Sequence, residues 1–379
     1  MRRLALVLLL AAAAFTWPIS GSTARPPAVK AKAVVVADAS GTVLYELHAG
    51  RRLAMASITK IMTALVTLER TRPNQRVRVR GPAPSIGEST FHLEPGERLR
   101  VRDLLTAALV QSANDAAYAL AAYVGHGKVR AFVRLMNERA AELGLNDTHY
   151  ARPDGLDARR HYSTALDTLK LAREAMKKRL FRKIVRMKAG VVAGRRLYVW
   201  NDLLRIYPGT IGIKTGHTDR AGWSEVAAAK RDGLTLYAVL LGGPSRSRRN
   251  RGLAALLDWG FDQYGRVQLI SPERTYATAR IPFSDARLPL LAARGSSAVV
   301  KLARPLVEQV SAPEQIDLPV ARGEQVGEIR VYDGRRIVAR RPLVAAEAVE
   351  GPNLRRRVAW YAERALDEAG DMLSSVSPF

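Results

Sequence analysis

Between residues 33 and 241 the spacing of apolar residues changes from strand-like to helix-like and back, and this order limits the fold more than any other feature of the chain. The runs Ala33-Val34-Val35-Val36-Ala37-Asp38 and Thr42-Val43-Leu44-Tyr45 flank Ala39-Ser40-Gly41, which predicts a hairpin of two short strands. From Ser57 onward Ile58, Ile61, Met62, Leu65 and Val66 recur at helical spacing, and alanine- and leucine-rich helices are expected over 102–110, 115–124 and 129–143. Strand signals return in Leu197-Tyr198-Val199-Trp200, in 223–228 and in 234–241, separated by turns such as Asp232-Gly233. Strands, then helices, then strands imply an α+β unit in which helices pack around one antiparallel sheet, closed by a helix over 247–264.

Beyond that helix, Pro272, Pro282 and Pro289 punctuate short alternating runs such as 298–302 and 329–332. The expected division is therefore one domain over 27–266, a small β-rich domain over 272–350, and a C-terminal amphipathic helix over 353–379 behind Gly351-Pro352-Asn353. Leu354, Val358, Tyr361, Ala365, Met372 and Val376 give that helix a loosely apolar stripe, and Arg355, Arg356 and Arg357 make its start basic. Lying on an anionic membrane surface and packing on its own β domain both fit such a helix. At the other end, Arg2 and Arg3 precede the apolar run from Leu4 to Phe15, and Ser22-Thr23-Ala24 supplies small residues for cleavage. Residues 1–24 read as a signal peptide and the protein as exported, to the periplasm or the outer face of the cytoplasmic membrane. A retained anchor is the alternative, but the apolar run is short of the roughly 20 residues that cross a bilayer.

Composition removes whole classes of chemistry. With no cysteine among 379 residues, thiol nucleophiles, iron–sulfur clusters, cysteine zinc sites and disulfide frameworks are excluded. The six histidines, at 48, 92, 126, 149, 161 and 217, include no pair four apart, so a helical two-histidine metal site has no support. Sixty Lys plus Arg against 35 Asp plus Glu leave a net charge of +25, carried mostly by arginine. On an exported chain that charge meets anionic membranes or wall polymers first; solvated arginine faces are the plainer explanation, and no nucleic-acid motif with interleaved aromatics is present.

Three short motifs carry the chemistry. Ser57-Ile58-Thr59-Lys60 puts a hydroxyl and an amine three residues apart, on one face of a helix. A partly desolvated Lys60 can be neutral often enough to take the Ser57 proton, and a helix N-terminus favours the developing negative charge. Ser112-Ala113-Asn114 lies between two helical segments. Lys214-Thr215-Gly216 follows Ile211-Gly212-Ile213 on a strand expected at a sheet edge, offering a fixed charge, a hydroxyl and a close backbone approach. Chance occurrences of the three in this composition multiply to roughly 0.01.

In these motifs, and in their order, the chain resembles the serine D-alanyl-D-alanine carboxypeptidases, the low-molecular-mass penicillin-binding proteins related to class A β-lactamases. The resemblance extends to Pro153-Asp154-Gly155-Leu156-Asp157, Tyr162-Ser163-Thr164-Ala165, Asn201-Asp202-Leu203-Leu204, His217-Thr218, Ala221-Gly222-Trp223 and the appended β domain. It implies a β-lactamase/transpeptidase-like fold and removal of the terminal D-alanine from peptidoglycan stem peptides, without metal or organic cofactor. Ser57 would be the acylated nucleophile, Lys60 its base, Ser112 a proton relay to the leaving amine, and Asn114 a contact to the substrate amide that also orients Lys60. The backbone N–H groups of Ser57 and His217 would form the oxyanion hole, and Lys214, Thr215 and Gly216 would line the binding strand. An arginine for the substrate's terminal carboxylate falls on Arg249 among Arg246, Arg248, Arg249 and Arg251. β-Lactam antibiotics would then be covalent inhibitors. A D,D-endopeptidase with the same residues and a non-catalytic wall-binding protein are the alternatives. A β-lactamase is disfavoured, because the stretch from Pro153 to Asp167 holds no glutamate to activate water. Two departures stand out: Trp200 takes the place of a basic pocket residue found in some relatives, and His217 has no Ser-His-Asp spacing idiom around it and reads as a neutral loop histidine.

Overall fold

The computed structural model describes residues 24–375, so the expected signal peptide lies outside the described residues apart from Ala24. Two compact units divide the chain, the first ending at Asp262 and the second beginning at Gln263.

In the first unit β1 (Ala33–Asp38) and β2 (Val43–Leu47) form the hairpin, and the Asp38 carboxylate accepts the N–H groups of Gly41 and Thr42 across its turn. A short 3₁₀ turn, Ala56–Thr59, leads into α1 (Lys60–Arg70), which buries Ile61, Met62, Leu65 and Val66 completely. Next β3 (Arg76–Arg78) pairs with β4 (Arg98–Arg100). The single helix expected over 102–110 is in fact α2 (Val101–Thr106) running into a π-helical turn, Ala107–Gln111, that stops at Ser112 with φ 68°. Single π turns of this kind recur at functional sites, where the wider coil re-aims the residues after it. Helices α3 (Asn114–Val124), α4 (Val129–Glu142), α5 (Ala165–Ala175) and α6 (Arg179–Val185) complete the helical layer. Thr164 caps α5 by accepting the N–H of Asp167.

The strand expected at Leu197–Trp200 does not form. After the small ladder of β5 (Val191–Val192) and β6 (Arg195–Arg196) only the Leu197 N–H continues the pairing, to the Gly190 carbonyl, and the chain then leaves the ladder with Leu197 and Val199 buried and Tyr198 exposed. Its alternation is that of a strand, yet the Tyr198 N–H goes to the Gln111 side chain instead of a neighbouring strand. A short α7 (Leu203–Ile206) precedes β7 (Thr210–Thr218), β8 (Gly222–Arg231) and β9 (Leu234–Gly243), and α8 (Arg246–Asp262) comes next. The sheet order is β2-β1-β9-β8-β7, antiparallel throughout, with β7 at an edge. α8 covers one face and α5 the other, which is why the middles of β1, β8 and β9 read as unbroken runs of Ala, Val and Leu. α8 packs closely on the sheet at Gly260, where a Cβ would sit 2.9 Å from the end of the Leu236 side chain.

The second unit is β-rich. Tyr264, expected to end a helix, instead opens β10 (Tyr264–Ile270), because this segment finds a partner strand: β10 pairs with β13 (Ser296–Lys301). A five-stranded antiparallel sheet runs in the order β11 (Thr275–Arg280), β12 (Arg287–Ala292), β16 (Arg336–Ala345), β15 (Gln325–Asp333), β14 (Leu306–Ser311). Leu288, Leu290, Ile329, Val331 and Leu343 form its core. The last helix, α9 (Leu354–Ser375), touches its own unit where Phe283 meets the rings of Trp360 and Tyr361, while Leu354, Val358, Tyr361 and Leu366 remain exposed. The expected stripe positions Met372 and Val376 fall outside the described side chains.

Candidate active site

The 3₁₀ turn before α1 places Ser57 at a half-buried position over a strained residue, Ala56, whose φ of 48° is unusual for alanine. Three contacts over-determine that turn. The Thr59 hydroxyl donates to the Ala56 carbonyl at 2.9 Å, and Thr59 Oγ1 lies 2.9 Å from His161 Nε2. The Ala151 N–H donates to His161 Nδ1, so Nδ1 is unprotonated and the proton on Nε2 is the one that reaches Thr59. Burial holds this imidazole neutral, its pKa lowered to about 4. Gly155 closes the turn at φ 93°, since any Cβ there would overlap the Ala56 carbonyl oxygen.

Lys60 is fully buried at the start of α1. Its ammonium donates to Ser57 Oγ at 2.8 Å, to Asn114 Oδ1 at 2.7 Å and to the Asp154 carbonyl at 2.7 Å, which uses all three donors. On losing a proton the amine keeps two N–H groups for Asn114 and Asp154 and turns its lone pair to the Ser57 hydroxyl. Desolvation is the main cause that pushes the Lys60 pKa down to about 8; Asp154 opposes it and Arg152 reinforces it. Arg152 also grips both carboxylate oxygens of the buried Asp154, at 2.6 and 2.9 Å, which removes that carboxylate as a direct partner for the amine.

The second motif enters from the π turn. Ser112, in the left-handed region, accepts a hydrogen bond from Lys214 Nζ at 2.9 Å, and Lys214 also donates to the Thr215 carbonyl. Asn114 anchors itself by donating to the Gly87 carbonyl, and the buried carboxylate of Asp115 gathers the N–H groups of Phe91 and Leu93, tying the 87–93 loop to the motif. Lys214 is fully enclosed as well. Desolvation first, and then repulsion from Lys60, drives its pKa well below the usual lysine range. Short contacts thus join Ser57, Lys60 and Asn114, and likewise Ser112 and Lys214, so that three separate segments supply the five residues.

β7 supplies the rest. Gly216 lies so close to the nucleophile turn that a Cβ would stand 3.0 Å from Ser57 N, so the strand's backbone approaches Ser57 as only glycine permits. Thr215 is nearly buried. His217 sits on β7, and not on the loop expected for it; its ring is exposed and rests against Trp223 with centroids 4.1 Å apart. Arg249 on α8 is buried at 2% exposure, donating to Asn250 Oδ1, 2.9 Å from Glu225 and 3.8 Å from Asp202. Arg249 thus has one partner on its own helix, Asn250, one on the sheet, Glu225, and one before α7, Asp202.

Residues 20–245 match the Peptidase S11 family, D-alanyl-D-alanine carboxypeptidase. The chain belongs to that family. Residues 285–351 match the C-terminal domain of penicillin-binding protein 5. Among curated carboxypeptidases, DacF of Bacillus subtilis is 30% identical over 329 residues, covering 83% of this chain and 84% of that protein, and DacC of Escherichia coli is 32% identical over 357 residues, covering 86% of each. Among solved structures, the carboxypeptidase DacD of Francisella tularensis superposes with a TM-score of 0.59 at 27% identity over 87% of this chain and 96% of that one. Penicillin-binding protein 5 of Haemophilus influenzae gives 0.62 at 25% identity over 86% and 100%.

For a carboxypeptidase of this family, several residues that shape the site escaped sequence reasoning. His161 and Thr59 meet across 102 positions, and only burial tells which histidine matters. Arg152, Asp154 and Glu225 look like surface charges in the sequence; the sole hint was the Pro-Asp-Gly-Leu-Asp run around Asp154. Trp200 packs edge-on to Tyr198 and lies under Arg246.

Proposed function

We propose that the chain hydrolyses the terminal D-alanine from peptidoglycan stem peptides through an acyl-enzyme on Ser57, and that β-lactams acylate the same oxygen. The observation that carries this reading is a fully buried Lys60 amine 2.8 Å from a half-buried Ser57 hydroxyl, with a pKa brought down to about 8. Neutral Lys60 takes the Ser57 proton as Oγ attacks the penultimate carbonyl. Negative charge on the carbonyl oxygen is met by the N–H groups of Ser57 and His217, the first held in place by the strained turn and the second brought near by Gly216. Ser112, backed by Lys214, relays the proton that Lys60 took to the departing D-alanine nitrogen, which leaves Lys60 neutral and Ser112 a hydroxyl again, and Asn114 binds the substrate amide. Water then attacks the ester with Lys60 again as base. Lys214, Thr215 and Arg249 serve the terminal carboxylate.

We assign this chemistry to residues 27–266 and read 272–350 as the appended β domain. We place the protein outside the cytoplasm, with α9 lying on the membrane surface: its exposed Leu354, Val358, Tyr361 and Leu366 sit beside Arg355, Arg356, Arg357 and Arg364. Among the described residues no helix is long and apolar enough to cross a membrane. Deleting 353–379 is expected to move the protein from the membrane to the soluble fraction with D-alanine release intact.

Fluorescent penicillin tests the chemistry. Wild type is expected to label covalently, with the adduct mapping to the peptide containing Ser57, and Ser57→Ala to remain dark. An unlabelled wild type, or an adduct on another residue, overturns the reading.

A further inference from the structure

Glu225 is a buried charge without a hydrogen-bond partner. It lies on β8 directly across from Thr215 of β7, so the two side chains share a face of the sheet. Its carboxyl is completely buried, and neither oxygen makes a hydrogen bond. Arg249 Nε stands 2.9 Å from Oε2, but the single hydrogen on that nitrogen is directed to Asn250 Oδ1 at 3.0 Å. Guanidinium and carboxyl therefore meet as charges only. The next residues of β8, Val226 to Ala229, are apolar, and an apolar side chain at 225 would avoid the cost of a buried carboxyl without hydrogen bonds.

We propose that Glu225 is a positioning residue that occupies Arg249 in the free enzyme and releases it, by taking up a proton, when the substrate's terminal carboxylate arrives. This rests on the reading of Arg249 as a carboxylate contact. Asp202, 3.8 Å from Arg249, is kept ionised by hydrogen bonds from Arg246 and Asn250, whereas Glu225 has none, so a further carboxylate reaching the buried guanidinium is accommodated by protonation of Glu225 from solvent. The charged groups that face Glu225 are Arg249 and Arg246 from α8, Lys214 from β7, and Asp202 from the start of α7. Burial outweighs the three cations and raises the carboxyl pKa to about 7. Below pH 7 a neutral Glu225 therefore leaves Arg249 free for substrate, and above it the carboxylate competes. KM for a carboxylate-terminated substrate then rises about tenfold from pH 6 to pH 8, while kcat climbs with the neutral fraction of Lys60.

The test is steady-state kinetics at pH 6, 7 and 8 on a peptide ending in D-Ala-D-Ala, using the full chain as wild type, Glu225→Gln, Arg249→Ala and the double variant. Glu225→Gln is expected to hold KM near the wild-type pH 6 value at every pH. Arg249→Ala is expected to raise KM, and adding Glu225→Gln to it to change nothing further. If Arg249→Ala leaves KM at wild type, the reading of Arg249 fails. If Arg249→Ala raises KM but wild type and Glu225→Gln share one pH dependence, the Glu225 proposal is overturned. Titration calorimetry at pH 8, with a phosphonate analogue carrying the terminal carboxylate in two buffers of different ionisation heat, separates Glu225 from the Lys60 amine: proton uptake larger in wild type than in Glu225→Gln supports the proposal, and equal uptake in the two overturns it.

Discussion

The two units of this chain treat buried charge in opposite ways. The first encloses Lys60, Lys214, Arg249, Asp115, Asp154, Asp167 and Glu225, whereas among the described residues none of the fully buried polar or charged side chains lies beyond Asn250, and the core of the second unit is aliphatic. Both units reach the same end, a closed apolar core around an antiparallel sheet, so packing alone does not require the charges. Burying an ion costs several kcal/mol unless it is well paired. Around Ser57 the first unit puts such burial to use, since it gives Lys60 its low-pKa amine.

The largest expected effect tests that link directly. Lys60→Ala should slow acylation by penicillin about a thousandfold or more with Ser57 intact, because a serine hydroxyl without its base is a poor nucleophile; undiminished labelling would remove Lys60 from the role. In wild type, only the neutral amine accepts the proton, so the acylation rate should rise about tenfold per pH unit and level off above about pH 8. A flat profile between pH 6 and 9 would break the connection between burial and chemistry. The second unit supplies the converse. Leu343→Ala, at a site with 0% exposure, should cost about 2–5 kcal/mol in thermal unfolding of that unit while Ser57 labels at its usual rate.

His161 sharpens the comparison, since it is buried and neutral and touches no reacting atom. His161→Ala should lower acylation by about tenfold, the equivalent of one lost buried hydrogen bond. His161→Gln should recover most of it, because an amide can accept from the Ala151 N–H and donate to Thr59 as the imidazole does. Failure of glutamine to rescue would reduce His161 to a space-filling role. Least of all, Glu314→Ala should shift stability by less than about 1 kcal/mol, since Arg280 and Glu314 meet at 56% and 69% exposure, where water screens the pair.

Legibility tracked the range of the interactions. The hairpin at 33–47 and the helix through Ile61 and Leu65 arise from local turn chemistry and periodicity, and both were readable. Leu197–Trp200 had the alternation of a strand and formed none, because a strand needs a neighbour and the Tyr198 N–H found Gln111 instead. Tyr264 was drawn out of a helix by pairing with Lys301. The π turn before Ser112 left no trace in composition either.

What the amino-acid order determined alone was the set of reactive groups and their short spacings: a hydroxyl three residues before an amine, Ser112 two before Asn114, and a glycine two after Lys214. Only the tertiary structure decided their ionisation and their aim. Lys60 titrates low because loops and helices far along the chain exclude water from it. Lys214 reaches Ser112 across 102 positions, and Arg249 meets Glu225 only where a helix lies over a sheet. Desolvation and long-range contact are sums over many segments at once, and no local stretch of sequence contains such a sum.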